Sequence, residues 1–188
     1  MQSAPKKPYR RILSFLILST TLFCHSLQAE EWKRINSKDG NISALFPKGI
    51  QDKAQTQIDK TPAGKVKSTF GEYYGNGILI AGSAADLPRL ARAAGHKNIF
   101  NGSKKTFLDQ AKGTELSFTK TTVDDVPAWS LTYKGAAYRG KGEPYQGQAL
   151  FVIVDKRIYI FNAVTTKPST ENQALEKKLF TSIKVIKK

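Results

Sequence analysis

Few residues in this chain could do chemistry, and their types and spacing argue against most reactions. Cys24 and His25 fall in an N-terminal segment with the marks of an export signal, which leaves His96 as the one imidazole of the remaining chain. His96 follows Gly95 where a helix is expected to end, a place that suits a solvated or helix-terminal cation. No Ser-His-Asp arrangement is available without it, and one histidine with no cysteine offers no transition-metal ligand spacing. Asp124-Asp125 is the sole adjacent acidic pair past residue 31. Neighbours on a strand point to opposite faces, and the following Val126-Pro127 favours a turn, so a solvated turn is expected there rather than a general acid/base pair or a calcium site. The competing enzymatic reading is a small exported hydrolase using carboxylates such as Asp124 or Glu143 in a pocket. Gly75-Asn76-Gly77 is followed by a strand and not a helix, so it reads as a turn and not a phosphate loop. No cofactor and no metal are expected.

What remains is positive charge. The chain has 188 residues with 30 Lys and Arg against 15 Asp and Glu, a formal net charge of +15. Lys134, Arg139 and Lys141 meet no acid before Glu143, with Tyr138 and Tyr145 among them; Lys156 and Arg157 stand between two apolar runs. Basic side chains beside tyrosines in a Gly-rich stretch can engage an anionic surface by ionic contact and stacking. The partner-binding candidates are therefore Lys134, Tyr138, Arg139, Lys141, Lys156 and Arg157. The plainer reading is a solvated face that keeps an exported protein soluble, and the lysines spread through residues 48–67 favour it.

Lys6, Lys7, Arg10 and Arg11 form a basic, acid-free head; Ile12 to Phe23 is a short apolar run; Leu27-Gln28-Ala29 precedes two glutamates as a cleavage site. A spanning helix needs about 20 apolar residues, more than this run supplies, so a cleaved signal peptide over residues 1–29 is expected ahead of a retained anchor. Phe23 before Cys24 is too bulky for lipoprotein processing. Cleavage after Ala29 leaves 159 of the 188 residues, enough for one domain over 30–188. Taking the four basic residues of the signal from 30 leaves 26 against 15 acids, a net charge of +11. Export makes nucleic acid an unsuitable partner; anionic lipid headgroups, lipopolysaccharide or an acidic protein suit it better, with peripheral membrane contact among the options.

These residues are positioned by a framework built around 148–163. Leu150, Val152 and Val154 alternate with Ala149, Phe151 and Ile153, and Ile158 and Ile160 with Tyr159, Phe161 and Ala163, so both strands are apolar on both faces. Such strands belong in the middle of a sheet, joined by a hairpin turn at Asp155-Lys156-Arg157. Before them, Trp32–Ile35 and Ile42–Pro47 form a hairpin about residues 37–41, residues 48–64 form a polar connection, and Val66–Tyr74 pairs with Ile78–Ser83 about Asn76-Gly77. Asp86 and Ser103 are expected to cap two short helices stopped by Gly95 and Gly113. Strands follow on either side of Asp124-Asp125, then a loop over Gly135–Gly147. Thr170 with Gln173 reads as a capping box opening a helix with Leu175, Leu179 and Phe180 on its apolar stripe, before a last strand at Ile183–Val185. Strand-rich runs with segregated helices indicate an α+β domain with a mostly antiparallel β-sheet and helices packed on it.

Trp32, Asp39-Gly40, Ile42-Ser43-Ala44-Leu45-Phe46-Pro47, Lys156-Arg157-Ile158-Tyr159 and Phe180-Thr181-Ser182-Ile183 together resemble exported bacterial domains of the PsbP-like superfamily, which includes the photosystem extrinsic protein, the Ran-binding Mog protein and DcrB. The resemblance covers nearly all of residues 30–188 and implies an α/β/α sandwich. Ile183 stands where a typical member has Phe. These motifs are apolar and structural and members differ widely in role, so the resemblance carries over no catalytic residue; the leading expectation is an exported non-enzymatic binding or accessory domain.

Overall fold

The structure, a computed structural model, describes residues 31–50, 55–61, 64–136 and 142–186. The segment 1–29 expected to be a signal therefore lies outside the described residues. Thirteen elements follow in order: β1 (Trp32–Asn36), β2 (Ile42–Pro47), β3 (Gln55–Thr61), β4 (Gly64–Gly75), β5 (Ile78–Asp86), α1 (Arg89–Ala93), α2 (His96–Ala111), β6 (Thr114–Val123), β7 (Val126–Gly135), β8 (Tyr145–Val154), β9 (Arg157–Thr165), α3 (Thr170–Thr181) and β10 (Lys184–Val185). Seven strands form one antiparallel sheet in the order β3-β4-β5-β9-β8-β7-β6, and β1-β2-β10 form a separate three-stranded sheet. The α+β class and its mostly antiparallel sheet are as the sequence implies.

The doubly apolar ribbon takes the middle, as its two-sided pattern demands. β8 and β9 pair from Gln146↔Thr165 to Val154↔Arg157, and β9 is the fourth of the seven strands. One face of β9 presents Tyr159, Phe161 and Ala163, which pack with Leu150 and Val152 of β8 against Ile42, Ala44 and Phe46 of the small sheet and Leu179 of α3. The other face presents Ile158 and Val164, which join Phe151, Ile153, Leu131 and Tyr133 beneath Ile99 and Phe100 of α2. Phe151 is fully enclosed, and burying a side chain of that size contributes about 2–3 kcal/mol. Phe107 of α2 meets Tyr133 and Phe151 edge to face, at 5.2 and 5.7 Å between ring centroids.

Turns fix the register. Asn76 and Gly77 both take positive φ, 51° and 76°, as do Asp124 and Asp125, 47° and 66°. Both pairs are two-residue connections of the primed type, whose twist matches that of the flanking strands. Asp124-Asp125 is thus a turn, as its composition implied. In the β1–β2 connection Ser37 Oγ accepts from the backbone N–H groups of Asn41 and Ile42, both at 3.1 Å, and Gly40 takes φ 73°.

Five local expectations change. The polar stretch 48–64 contains β3, which pairs with β4 through Gln55↔Phe70 to Thr61↔Gly64; it has no apolar alternation because it is an edge strand, with Ile58 65% exposed. Asp86 ends β5 rather than capping a helix, and α1 starts after Pro88 with no side-chain cap. Ser103 lies inside α2, which starts at His96 after Gly95 turns the chain at φ 81°. The Gly-rich stretch 135–147 is not all loop: Gly135 pairs with Tyr145 and Gly147 with Tyr133. A Cβ at Gly147 would sit 2.6 Å from the Tyr133 ring, so that glycine makes room for a cross-strand tyrosine. Finally, Ser169 and not Thr170 is the cap of α3, its Oγ accepting from Asn172 N at 3.1 Å.

Candidate functional site

A polar cluster joins the small sheet to the tip of the central ribbon. Asp39 lies in the β1–β2 turn, Arg157 opens β9, Tyr159 is two residues on, and Asp86 closes β5 directly opposite Arg157. Asp39 accepts from Ser37 Oγ at 2.6 Å, Tyr159 Oη at 2.5 Å and Arg157 Nη1 at 3.2 Å, while Arg157 Nε donates to Asp86 at 2.5 Å. Asn41 Nδ2 donates to Asp155 at 3.2 Å and fastens the same two turns again. Partial burial works against the Asp39 carboxylate, but donation from Ser37, Tyr159, the Asn41 N–H and Arg157 outweighs it and holds the group down at about 2. Burial, helped by that carboxylate, pushes the Tyr159 hydroxyl up to about 12. These groups hold one another, so the cluster is a fastening rather than an acid/base pair awaiting substrate.

The basic candidates divide between the two ends of the large sheet. Lys134 is exposed on β7 opposite Gln146, at the end where the 136–144 connection leaves the sheet. Lys156 is in the β8–β9 turn, eight strand steps from Gln146 to Val154 away, or about 26 Å at ~3.3 Å per residue. Arg157 is engaged by two carboxylates and its side chain is 21% exposed. Tyr138, Arg139 and Lys141 lie outside the described residues. Asp39 and Asp86, which hold Arg157, were missed by sequence reasoning because both stand far from it in the chain; a signal was present only in Asp39-Gly40, read there as a turn.

The acidic candidates do not converge either. Asp124 Oδ2 accepts from Val185 N at 2.8 Å at one end of β7, whereas Glu143 is exposed just before β8 at the other. Nine strand steps along β7 separate the two ends, about 30 Å at ~3.3 Å each. His96 is exposed at the start of α2, its ring edge-on to Phe100 at 6.5 Å. Among the described residues no group of three His, Cys, Asp or Glu is placed to hold a metal ion, and no helix is long and apolar enough to cross a membrane.

Two open clefts flank the β4–β5 ribbon. One, of about 490 Å³, lies between it and the small sheet. The other, of about 820 Å³, lies between it and the helices α1 and α2, with Ala81, Ala85, Ala91 and Gly102 in its walls. The second opens where α2, which packs on β7–β9, stops short of β4.

No protein-family model matches the chain. No curated protein matches its sequence. Among solved structures, the solution structure of cyanobacterial PsbP (CyanoP) from Synechocystis sp. PCC 6803 is similar at 13% identity, covering 87% of this chain and 97% of that one with a TM-score of 0.51. A Bacteroides thetaiotaomicron crystal structure matches at 12% identity over 83% of this chain and 49% of its own, TM-score 0.45. The Saccharomyces cerevisiae Ran-binding protein Mog1p matches at 11% identity over 84% and 96%, TM-score 0.39. With its antiparallel seven-stranded sheet packed between α2 on one face and α3 with the small sheet on the other, the chain has the PsbP-like fold.

Proposed function

We propose that this protein is an exported, non-catalytic binding domain that contacts a protein or an anionic envelope component in the periplasm through Lys134, Tyr138, Arg139 and Lys141. The observation that carries the reading is the separation of the residues that could do chemistry. Asp124 and Glu143 stand at opposite ends of the sheet, the one histidine outside the signal is exposed at a helix start, and the Asp39 cluster is internally satisfied. This counts against the hydrolase reading, which needs converging carboxylates. The basic head and apolar run at residues 6–23 support export. A net charge of +11 once residues 1–29 are removed, with Lys134 exposed beside the 136–144 connection, supports an anionic partner. Lys156 stands about 26 Å away at the other end of the sheet, next to Arg157, which Asp39 and Asp86 hold, and this favours the β7–β8 end, where Lys134 is exposed.

The test is retention on phosphatidylglycerol vesicles and on envelope extract. Charge reversal of Arg139 and Lys141 should abolish most retention, whereas Lys156→Glu should leave it. Equal retention of all three proteins would remove the electrostatic contact.

A further inference from the structure

The smaller cleft has a graded lining. On the face of the β4–β5 ribbon that looks toward the small sheet, the cross-strand pairs run Thr69↔Ala84, Gly71↔Gly82 and Tyr73↔Ile80. One step outward stand Lys67 and Asp86, and Asp86 pairs with Arg157 of β9. Moving inward, the floor passes from the charged Lys67 and Asp86 to the hydroxyl of Thr69 and the methyl of Ala84, then to bare backbone at Gly71 and Gly82, beside which Phe46 and Phe161 supply the apolar lining. β9 repeats the order alongside, with Arg157, then Tyr159, then Phe161. Phe46 and Ala44 of β2 form the opposite wall, with Phe46 stacked on Phe161 at 6.1 Å.

The space has an identifiable origin. Gly71 and Gly82 are directly opposite one another, and where their side chains would project there is none. Phe46 takes up the room above Gly82, where an added Cβ would meet its ring at 2.7 Å. The remaining volume of about 490 Å³ falls in the range of small-molecule sites, which combine an apolar body with a few polar groups that set orientation. At the charged end Arg157, Asp86 and Asp39 engage one another. Lys38 and Lys67 are exposed beside them, and neither forms an ion pair with a described carboxylate. The excess charge at that end is positive.

We propose that this cleft binds a single-chain amphiphile with an anionic head, its chain directed toward Gly71, Gly82 and Phe161 and its head beside Lys38 and Lys67. A binder of this kind needs an apolar trough with a cationic group at one end, and the lining from Phe46, Gly71, Gly82 and Phe161 to Lys38 and Lys67 supplies both. The site is distinct from the Lys134 end of the sheet, so it stands or falls independently of contact through the segment between β7 and β8.

Isothermal titration of the purified protein with laurate, below its micellar concentration, tests the assignment. Laurate is expected to bind saturably at one site, and dodecyl maltoside, with the same chain and an uncharged head, at least tenfold more weakly. Inorganic phosphate alone should give no saturable heat. Ala84→Phe, which places a ring in the cleft, should reduce laurate affinity at least tenfold; Thr69→Leu on the same rung provides a second, milder obstruction should the first variant melt early. The Lys38→Glu, Lys67→Glu double variant should weaken laurate at least tenfold while leaving the thermal midpoint unchanged. Absence of saturable laurate binding, wild-type affinity in both obstructed variants, or maltoside binding as tight as laurate would each overturn the proposal.

Discussion

Replacing Asp39 by Asn tests whether the cluster at the ribbon tip fastens the two sheets. The change keeps the shape of the side chain but removes the charge that accepts from Tyr159, Ser37 and Arg157 at 2.5, 2.6 and 3.2 Å. Asp39 titrates at about 2 in the fold against 3.8 in its ordinary state. At 1.36 kcal/mol per pH unit, that difference corresponds to about 2.5 kcal/mol of stability. Loss of one acceptor from the buried Tyr159 hydroxyl points to a cost of the same size, about 1–3 kcal/mol. Because the folded-state value is depressed, the stabilisation is fully present above about pH 4 and drains away as pH falls toward 2. Urea denaturation of wild type and Asp39→Asn should therefore differ by about 2.5 kcal/mol at pH 7, roughly 5–10 °C in the thermal midpoint, and the gap should narrow steadily below pH 4. A difference under about 0.5 kcal/mol at pH 7, or a gap that persists undiminished at pH 2, would refute the reasoning.

Other substitutions read different parts of the fold. Gly82→Val drives a branched side chain into the Phe46 ring, where even a Cβ lies at 2.7 Å; a loss of about 1–3 kcal/mol in chemical denaturation is expected, partly restored by adding Phe46→Leu. Phe151→Ala, at a fully buried position in the central strand, should cost about 3–5 kcal/mol, with loss of near-ultraviolet circular dichroism before loss of secondary structure. Ser169→Ala should cost about 1 kcal/mol and Thr170→Ala much less, since only Ser169 accepts from Asn172 N. Spectrophotometric titration of the tyrosines should reveal one that ionises near pH 12, and Tyr159→Phe should remove it; because that folded-state value is raised, its stabilisation is present below pH 10 and is lost toward 12.

The parts of the fold legible in the sequence are those with a local signature. Two-sided apolarity at Leu150–Val154 and Ile158–Ala163 could only belong to a central strand pair, and Asn76-Gly77 could only be a tight turn. The edge strand β3 has no such mark, because an edge exposed on both faces needs no apolar alternation; its partner across the ladder is what makes it a strand. Glycine misled in the other direction. Gly135 and Gly147 read as loop residues, yet they lie in strands where Tyr145 and Tyr133 cross over them. Arg157 read as an exposed tip cation because its two carboxylates are 118 and 71 residues away. The clefts were not legible at all: they depend on how far α2 reaches across the sheet, and on Gly71 meeting Gly82, a register that no local pattern specifies.

The central claim is that this domain works by ionic contact at the β7–β8 end of the sheet and not by catalysis. The most direct measurement is co-sedimentation with phosphatidylglycerol vesicles across a salt series, comparing wild type with a variant in which Lys134, Arg139 and Lys141 are all Gln. Each cation near an anionic surface contributes about 1 kcal/mol, so removing three should lower the partition constant by about two orders of magnitude at low salt. The wild-type curve should fall steeply with salt and the variant's should be nearly flat. Two superimposable salt curves would contradict the claim.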